Sequence, residues 1–200
     1  EENTKECRHA VIVGGGLIGI EMAEMLASRG ISVTFLVREK NFWSNVLPKD
    51  ESVLIEKHIL EHHIDLRLGS ELKEILDDGT GKVTKVITSE GEQIECQFVG
   101  LTAGVSPNID FLRNSSIDLE RGILVNKYQE TNAKDIYAIG DCAQFVTPPP
   151  GRRPIEQVWY TGRMQAETLA LTLTGTKCSY QPGNWFNSAK FFDIEYQTYG

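Results

Sequence analysis

The chain has 200 residues, 40% of them hydrophobic and 24% charged, which is the balance of a packed globular protein of one or two domains and not of a long disordered tract. A formal net charge of -8, with Arg152 and Arg153 as the one basic cluster, argues against nucleic acid as a partner, because neutralising phosphates needs clustered Lys and Arg. No apolar run approaches the roughly 20 residues that cross a bilayer, and residues 1–6 lack the features of a signal peptide, so no membrane span and a cytoplasmic location are expected.

In chain order, His9 to Val13 is a short apolar strand that runs into glycines, and Leu17 to Arg29 is a helix with Ile18, Met22, Met25 and Leu26 as its apolar face, closed by Gly30. Ser32 to Val37 follows closely enough to complete a parallel βαβ crossover. Pro48 starts a helix from about Lys49 to His63 carrying Val53, Ile55, Ile59 and Leu60, and Ile64 to Leu68 is a strand. Glu71 to Leu76, Lys82 to Thr88 and Gln93 to Leu101 read as an antiparallel meander joined by DDGTG and SEGE turns. TAGVSPN then breaks the chain near residue 105. Beyond it, Gly122 to Asn126 and Ile136 to Ile139 are short strands, PPPGRRP is a surface loop, and Trp159 to Leu173 is a helix.

Residues 14–19, GGGLIG, place Gly14, Gly16 and Gly19 between a strand and a helix. In that setting Gly14 permits the tight turn, Gly16 lets main chain approach a pyrophosphate, and Gly19 packs helix on strand; the amides of Gly15, Leu17 and Ile18 complete the cradle. An acid about 20 residues further on would hold an adenosine ribose diol; at the position where relatives of the family resembled below carry it, this chain has Val37. Arg38 next to it suits a 2′-phosphate, and Glu39 suits the diol if the register slips by two, so NADH and NADPH both remain open.

Taken together, VIVGGGLIGIEMAEML, LTAGVSPN and KDIYAIGDCA, in that order, resemble the pyridine nucleotide-disulfide oxidoreductase superfamily, most closely its rubredoxin reductase and nitrite reductase flavin-domain branch. The resemblance implies an α/β fold: a Rossmann-like NAD(P)-binding domain at 1–105, the second half of an FAD-binding domain at 106–178, and the opening of an interface domain at 179–200. It further implies FAD and NAD(P)H as cofactors. Glu21, Ala103 and Gly104 would lie near the nicotinamide nucleotide. Gly140 and Asp141 would meet the FAD ribityl chain, where a carboxylate accepts from hydroxyls. The helix entered through Gln157, Val158 and Trp159 would aim its N-terminus at the flavin.

Members of this superfamily carry a further glycine-rich unit before the dinucleotide domain, and residues 1–9 cannot form it, so the chain reads as a fragment, inactive alone. Any active-site disulfide would lie in that other part; Cys7, Cys96, Cys142 and Cys178 show neither CxxC nor metal-ligand spacing. The implied reaction is hydride transfer from NAD(P)H to flavin, then electron transfer to an acceptor such as a redox protein, a disulfide, oxygen or a quinone, with a homodimer admissible at full length. A non-catalytic NAD(P)H-binding, sensing or interaction module is the alternative. His58 and His62 are i and i+4 on one helix, but without a third ligand in view they are taken as half-buried or solvated rather than as a metal site.

Overall fold

The structure is a computed structural model that describes residues 2–199. Its chain divides into two compact units, one running to Val105 and including Ala189–Tyr196, the other comprising Ser106–Ser188 and the residues from Gln197.

The first unit is built on a parallel sheet of β1 (His9–Val13), β2 (Ser32–Val37), β3 (Asp65–Leu68) and β7 (Phe98–Leu101), in the order β3-β2-β1-β7. Strands β1 and β2 are mostly apolar, with Thr34 the buried polar exception, because both faces are covered. On one face Ala10, Ile12, Val33, Phe35 and Val37 pack with Ile20, Ala23 and Leu26 of α1 (Leu17–Ala27) and Ile55 and Ile59 of α2 (Lys49–Glu61). On the other, Val11 and Leu36 meet Val86 of an antiparallel sheet formed by β4 (Leu72–Asp77), β5 (Val83–Thr88) and β6 (Gln93–Glu95), and Cys96 just past that sheet. The result is the expected mixed α/β architecture, a parallel sheet with an antiparallel meander.

Two expectations about this unit need correction. Gln93 to Leu101 is not one strand: it ends in the meander at Glu95 and restarts at Phe98 in the parallel sheet beside β1. At the crossing Gln97 accepts hydrogen bonds from the Arg8 and His9 amides at 3.0 and 3.1 Å, and Cys96 is fully buried. The buried face of α1 is also rotated. Ile18 and Met25 are about half exposed, and the sheet is met by Gly19, Ile20, Ala23 and Leu26, of which the small Gly19 and Ala23 let helix and strand approach closely.

In the second unit β8 (Ile123–Val125) and β9 (Ala143–Phe145) pair in parallel, and α3 is Trp159–Leu173. Ile136 to Ile139 does not form the expected strand; it is extended backbone with one bridge, Glu130 to Tyr137. The ladder partner of β8 is Ala143–Phe145 instead, past a 3-10 turn at Gly140–Cys142. A core of Ile109, Ile123, Val125, Ala138, Ala143, Phe145 and Tyr180 closes around it. The hairpin β10 (Phe186–Phe191) and β11 (Ile194–Tyr199) ends the chain, and its Phe191 sits in the first unit's core against Phe42 and Trp43.

Arg152 is not part of a surface basic cluster. It lies buried in the PPPGRRP loop and grips Glu156 through two hydrogen bonds, Nε to Oε1 at 2.7 Å and Nη2 to Oε2 at 2.5 Å. No helix among the described residues is long and apolar enough to cross a membrane.

Candidate functional site

In the first unit the turn between β1 and α1 gathers most of the residues singled out in the sequence. Gly14 has φ +114, a value few side chains tolerate, and its amide donates to the Leu36 carbonyl at 3.0 Å. A Cβ on Gly14 would come within 2.6 Å of the Thr102 carbonyl, and one on Gly15 within 2.8 Å of a Val37 methyl. Val37, at the position expected for an acid, instead packs its buried side chain under the glycine turn. A Cβ on Gly19 would collide with the Gly14 carbonyl and stand 2.8 Å from Thr102 Oγ1. At Gly16 a Cβ would meet nothing within 4 Å.

Thr102, at the end of β7, was not anticipated and is the clamp of this turn. Its amide donates to the Val13 carbonyl at 2.8 Å, and its hydroxyl lies 2.9 and 3.1 Å from the carbonyls of Val13 and Gly14. It carries Ala103 and Gly104 to the same turn, both exposed, Gly104 with φ +113 and open space over its Cα. A threonine directly after a strand and before AG is the only sequence signal of this role.

Helix α1 starts at Gly16 with no side-chain cap and no acid in its first turn. The first-turn amides, those of Leu17, Ile18 and Gly19, are thus left for an external acceptor. Glu21 is exposed on the second turn, past the reach within which a helix dipole favours an acid. Arg38 and Glu39 leave β2 together and pair with one another at 3.0 Å; Arg38 is largely exposed and Glu39 half-buried.

In the second unit Gly140, with φ +74, donates its amide to Gln165 Oε1 at 2.6 Å, and the Gln165 carbonyl in turn accepts from Gln129 Nε2 at 2.9 Å. Both glutamines are buried, a polar cluster unseen in the sequence that fixes the Gly140–Cys142 turn against α3. A Cβ on Gly162 would lie 3.6 Å from Gly140 Cα, which puts the exposed Asp141 beside the first turn of α3. That helix begins at Val158, again with neither a side-chain cap nor a first-turn acid. A cavity of about 1010 Å³ lined by Lys127, Phe145, Pro149 and Tyr180 opens elsewhere in this unit and includes none of the predicted residues. Volume alone does not mark the site, since a helix start that presents main-chain amides need not be concave.

A glycine turn clamped at the mouth of one helix, followed by an acid at the mouth of another, can be compared with known proteins. The family model for pyridine nucleotide-disulphide oxidoreductases matches residues 1–166. The chain belongs to this family. Among its curated relatives, rhodocoxin reductase of Rhodococcus erythropolis is 30% identical over 92% of this chain and 43% of its own length. The NADH oxidase of Enterococcus faecalis is 34% identical over 90% of this chain and 40% of its own length. The rubredoxin-NAD(+) reductase of Acinetobacter baylyi is 33% identical over 86% and 42%. Among solved structures, a ferredoxin reductase from Rhodopseudomonas palustris superposes with a TM-score of 0.88 at 26% identity, covering 98% of this chain and 48% of that one. An FAD-dependent family member from Desulfovibrio vulgaris gives 0.85 at 28%, covering 98% and 50%. The chain thus spans about half or less of the length of the relatives it matches.

Proposed function

We propose that these residues supply the nicotinamide-nucleotide domain, 1–105, and part of the flavin domain, 106–178, of a cytoplasmic FAD-dependent NAD(P)H oxidoreductase, with 179–200 opening a third domain. The observation that carries the reading is the contrast among the four glycines of the first turn. Gly14, Gly15 and Gly19 are required by the protein's own packing, whereas nothing in the protein occupies the space over Gly16. That space adjoins first-turn amides without a side-chain cap, and a pyrophosphate fits it by charge and by hydrogen-bonding capacity.

On this reading the amides of Leu17, Ile18 and Gly19 donate to the diphosphate while Thr102 keeps the turn from spreading. The bare main chain at Ala103 and Gly104 leaves room for the nicotinamide nucleotide beside Gly14, and Glu21 lies one turn further along the same helix. Arg38 serves the 2′ position; it is largely exposed itself, so releasing it from half-buried Glu39 costs on the order of 1 kcal/mol. In the second unit Asp141 accepts from ribityl hydroxyls, and the α3 N-terminus adds a positive field for a reduced flavin. When bound, the two cofactors supply hydride transfer from nicotinamide to flavin; the protein's share is orientation and field, and no side-chain nucleophile is needed. For the acceptor we favour a small redox protein, in keeping with the partners after which rhodocoxin reductase and rubredoxin reductase are named.

The test is NADH titration of the protein and of Gly16→Leu. Open space around Gly16 means that the variant folds, and the expected result is loss of nucleotide binding with an unchanged circular dichroism spectrum; unchanged affinity refutes the phosphate assignment. NADH oxidation by the flavin-loaded full-length protein with an artificial acceptor tests the catalytic part, and binding without oxidation would favour a sensing module.

A further inference from the structure

A second cluster in the first unit lies apart from the glycine turn. His58 and His62 are one turn apart on α2, and the hairpin between β10 and β11 brings Asp193 to them from 131 residues away. Asp193 Oδ1 is 2.6 Å from His58 Nε2 and 3.2 Å from His62 Nε2, and one ligand atom from each of the three residues lies within 4.8 Å of the others. We propose that His58, His62 and Asp193 form a site for a divalent transition-metal ion, Zn(II) foremost, which ties the β10–β11 hairpin to the end of α2.

Three features support a metal over a simple ion pair. First, the donors are two imidazole nitrogens and one carboxylate oxygen, a set suited to zinc, cobalt or nickel and poorly suited to calcium or magnesium, which take oxygen. Second, His58 Nε2 is shut off from solvent and faces Asp193 Oδ1 at 2.6 Å, so a buried imidazole nitrogen is aimed into the cluster. Its other ring nitrogen faces Glu61 Oε2 at 3.8 Å, the side on which a carboxylate biases a histidine toward the tautomer that ligates through Nε2. Third, the rings are held in place. Phe192 adopts a left-handed φ of +56, unusual for an aromatic residue, and lies flat on His62 with centroids 4.2 Å apart and planes 5° apart. The stacked Phe192 thus holds the His62 ring beside the neighbouring Asp193. Ligand atoms around zinc sit about 2.0–2.2 Å from the metal, so small side-chain rotations suffice to admit the ion, with water completing the coordination.

The experiment adds Co(II) to the metal-free full chain and follows its visible absorption, with Zn(II) competition and thermal unfolding as second readouts. One ion per chain is expected, displaced by Zn(II), with unfolding shifted to higher temperature. Asp193→Asn and His62→Ala, both at exposed positions, should each weaken binding by more than about tenfold, the lower end of what losing even an outer partner of a ligand costs. His63→Ala, an exposed neighbour outside the cluster, should bind like the parent. Absence of saturable uptake overturns the proposal. So does equal binding by Asp193→Asn, or an effect of His63→Ala as large as that of His62→Ala, either of which would mark adventitious surface binding. Should His62→Ala fail to fold, Asp193→Asn, which changes no shape, decides alone.

Discussion

Glu156→Gln should destabilise the second unit by about 3–5 kcal/mol, the usual cost of stripping one partner from a buried ion pair. Only 3% of the Arg152 side chain and 6% of the Glu156 side chain are exposed, so the unpaired guanidinium could not turn to water. The loss extends beyond the pair. Glu156 also accepts from Thr161 Oγ1 at 2.9 Å and from the Arg153 amide at 3.2 Å, while Arg152 Nη1 donates to the Gly183 carbonyl at 3.2 Å. This one carboxylate therefore fastens the proline loop to the first turn of α3, the turn beside Asp141. Urea unfolding gives the free energy, and hydrogen exchange on residues 152–165 locates the loss. Replacing both partners with apolar residues, Arg152→Met with Glu156→Leu, should recover the part that belongs to the stranded charge, but not the contacts to Thr161, the Arg153 amide and Gly183. A single variant costing under about 1 kcal/mol, or a double variant as unstable as the single, would refute the reasoning. The pH dependence follows in sign. Burial alone would raise the Glu156 carboxyl, but hydrogen bonds from Arg152 and Thr161 outweigh it and hold the group below the usual carboxylate range. With the folded value depressed, its stabilisation is present above the ordinary carboxylate pKa and disappears as pH falls through the lower folded one; Glu156→Gln should flatten that acid limb.

Further outcomes can be checked separately. Gly19→Ala sets a methyl against the Gly14 carbonyl, backbone that cannot yield, so it should cost about 1–3 kcal/mol by urea titration and weaken nucleotide binding, unlike Gly16→Leu, which should affect binding alone. Phe42→Ala empties a fully buried site between Phe35 and Phe191 and should cost about 3–5 kcal/mol in the same assay. Arg38→Ala should weaken NADPH more than NADH in paired titrations, and equal effects would remove the case for a 2′-phosphate contact. Cys96, buried and with Cys7 nearby, is pushed up to about 11, so mass spectrometry after alkylation at pH 8 should find it unmodified in the folded chain while the half-buried Cys142 and Cys178 react.

What the sequence revealed and what it concealed follow from how far each determinant reaches along the chain. The β1–α1–β2 unit was legible because β1 and β2, buried on both faces, are mostly apolar and three consecutive glycines, Gly14 to Gly16, follow β1. The orientation of α1 was not, because periodicity weights large residues and half of this helix's buried face is the small pair Gly19 and Ala23, beside Ile20 and Leu26. The break at Gln97 was hidden because strands in two different sheets need the same residue types on either side of it. Ile136 to Ile139 shows that extended conformation, which β-branched residues favour, differs from pairing, which needs a neighbour: the backbone is extended, but the ladder forms only after the turn at Gly140. Asp193 lay beyond any local pattern, since a hairpin tip delivers it to α2.

At the candidate nucleotide site the same distinction separates glycines that look identical in GGGLIG. A residue required by the fold names its reason in the structure, as Gly14 does through Thr102, Gly15 through Val37 and Gly19 through the Gly14 carbonyl. A residue whose constraint comes from a ligand shows no reason within the protein, and Gly16 is in that position. Two substitutions at neighbouring glycines should therefore fail differently, one in stability and the other in binding. A common failure of both in stability would mean that the space at the mouth of α1 serves the fold and not a phosphate.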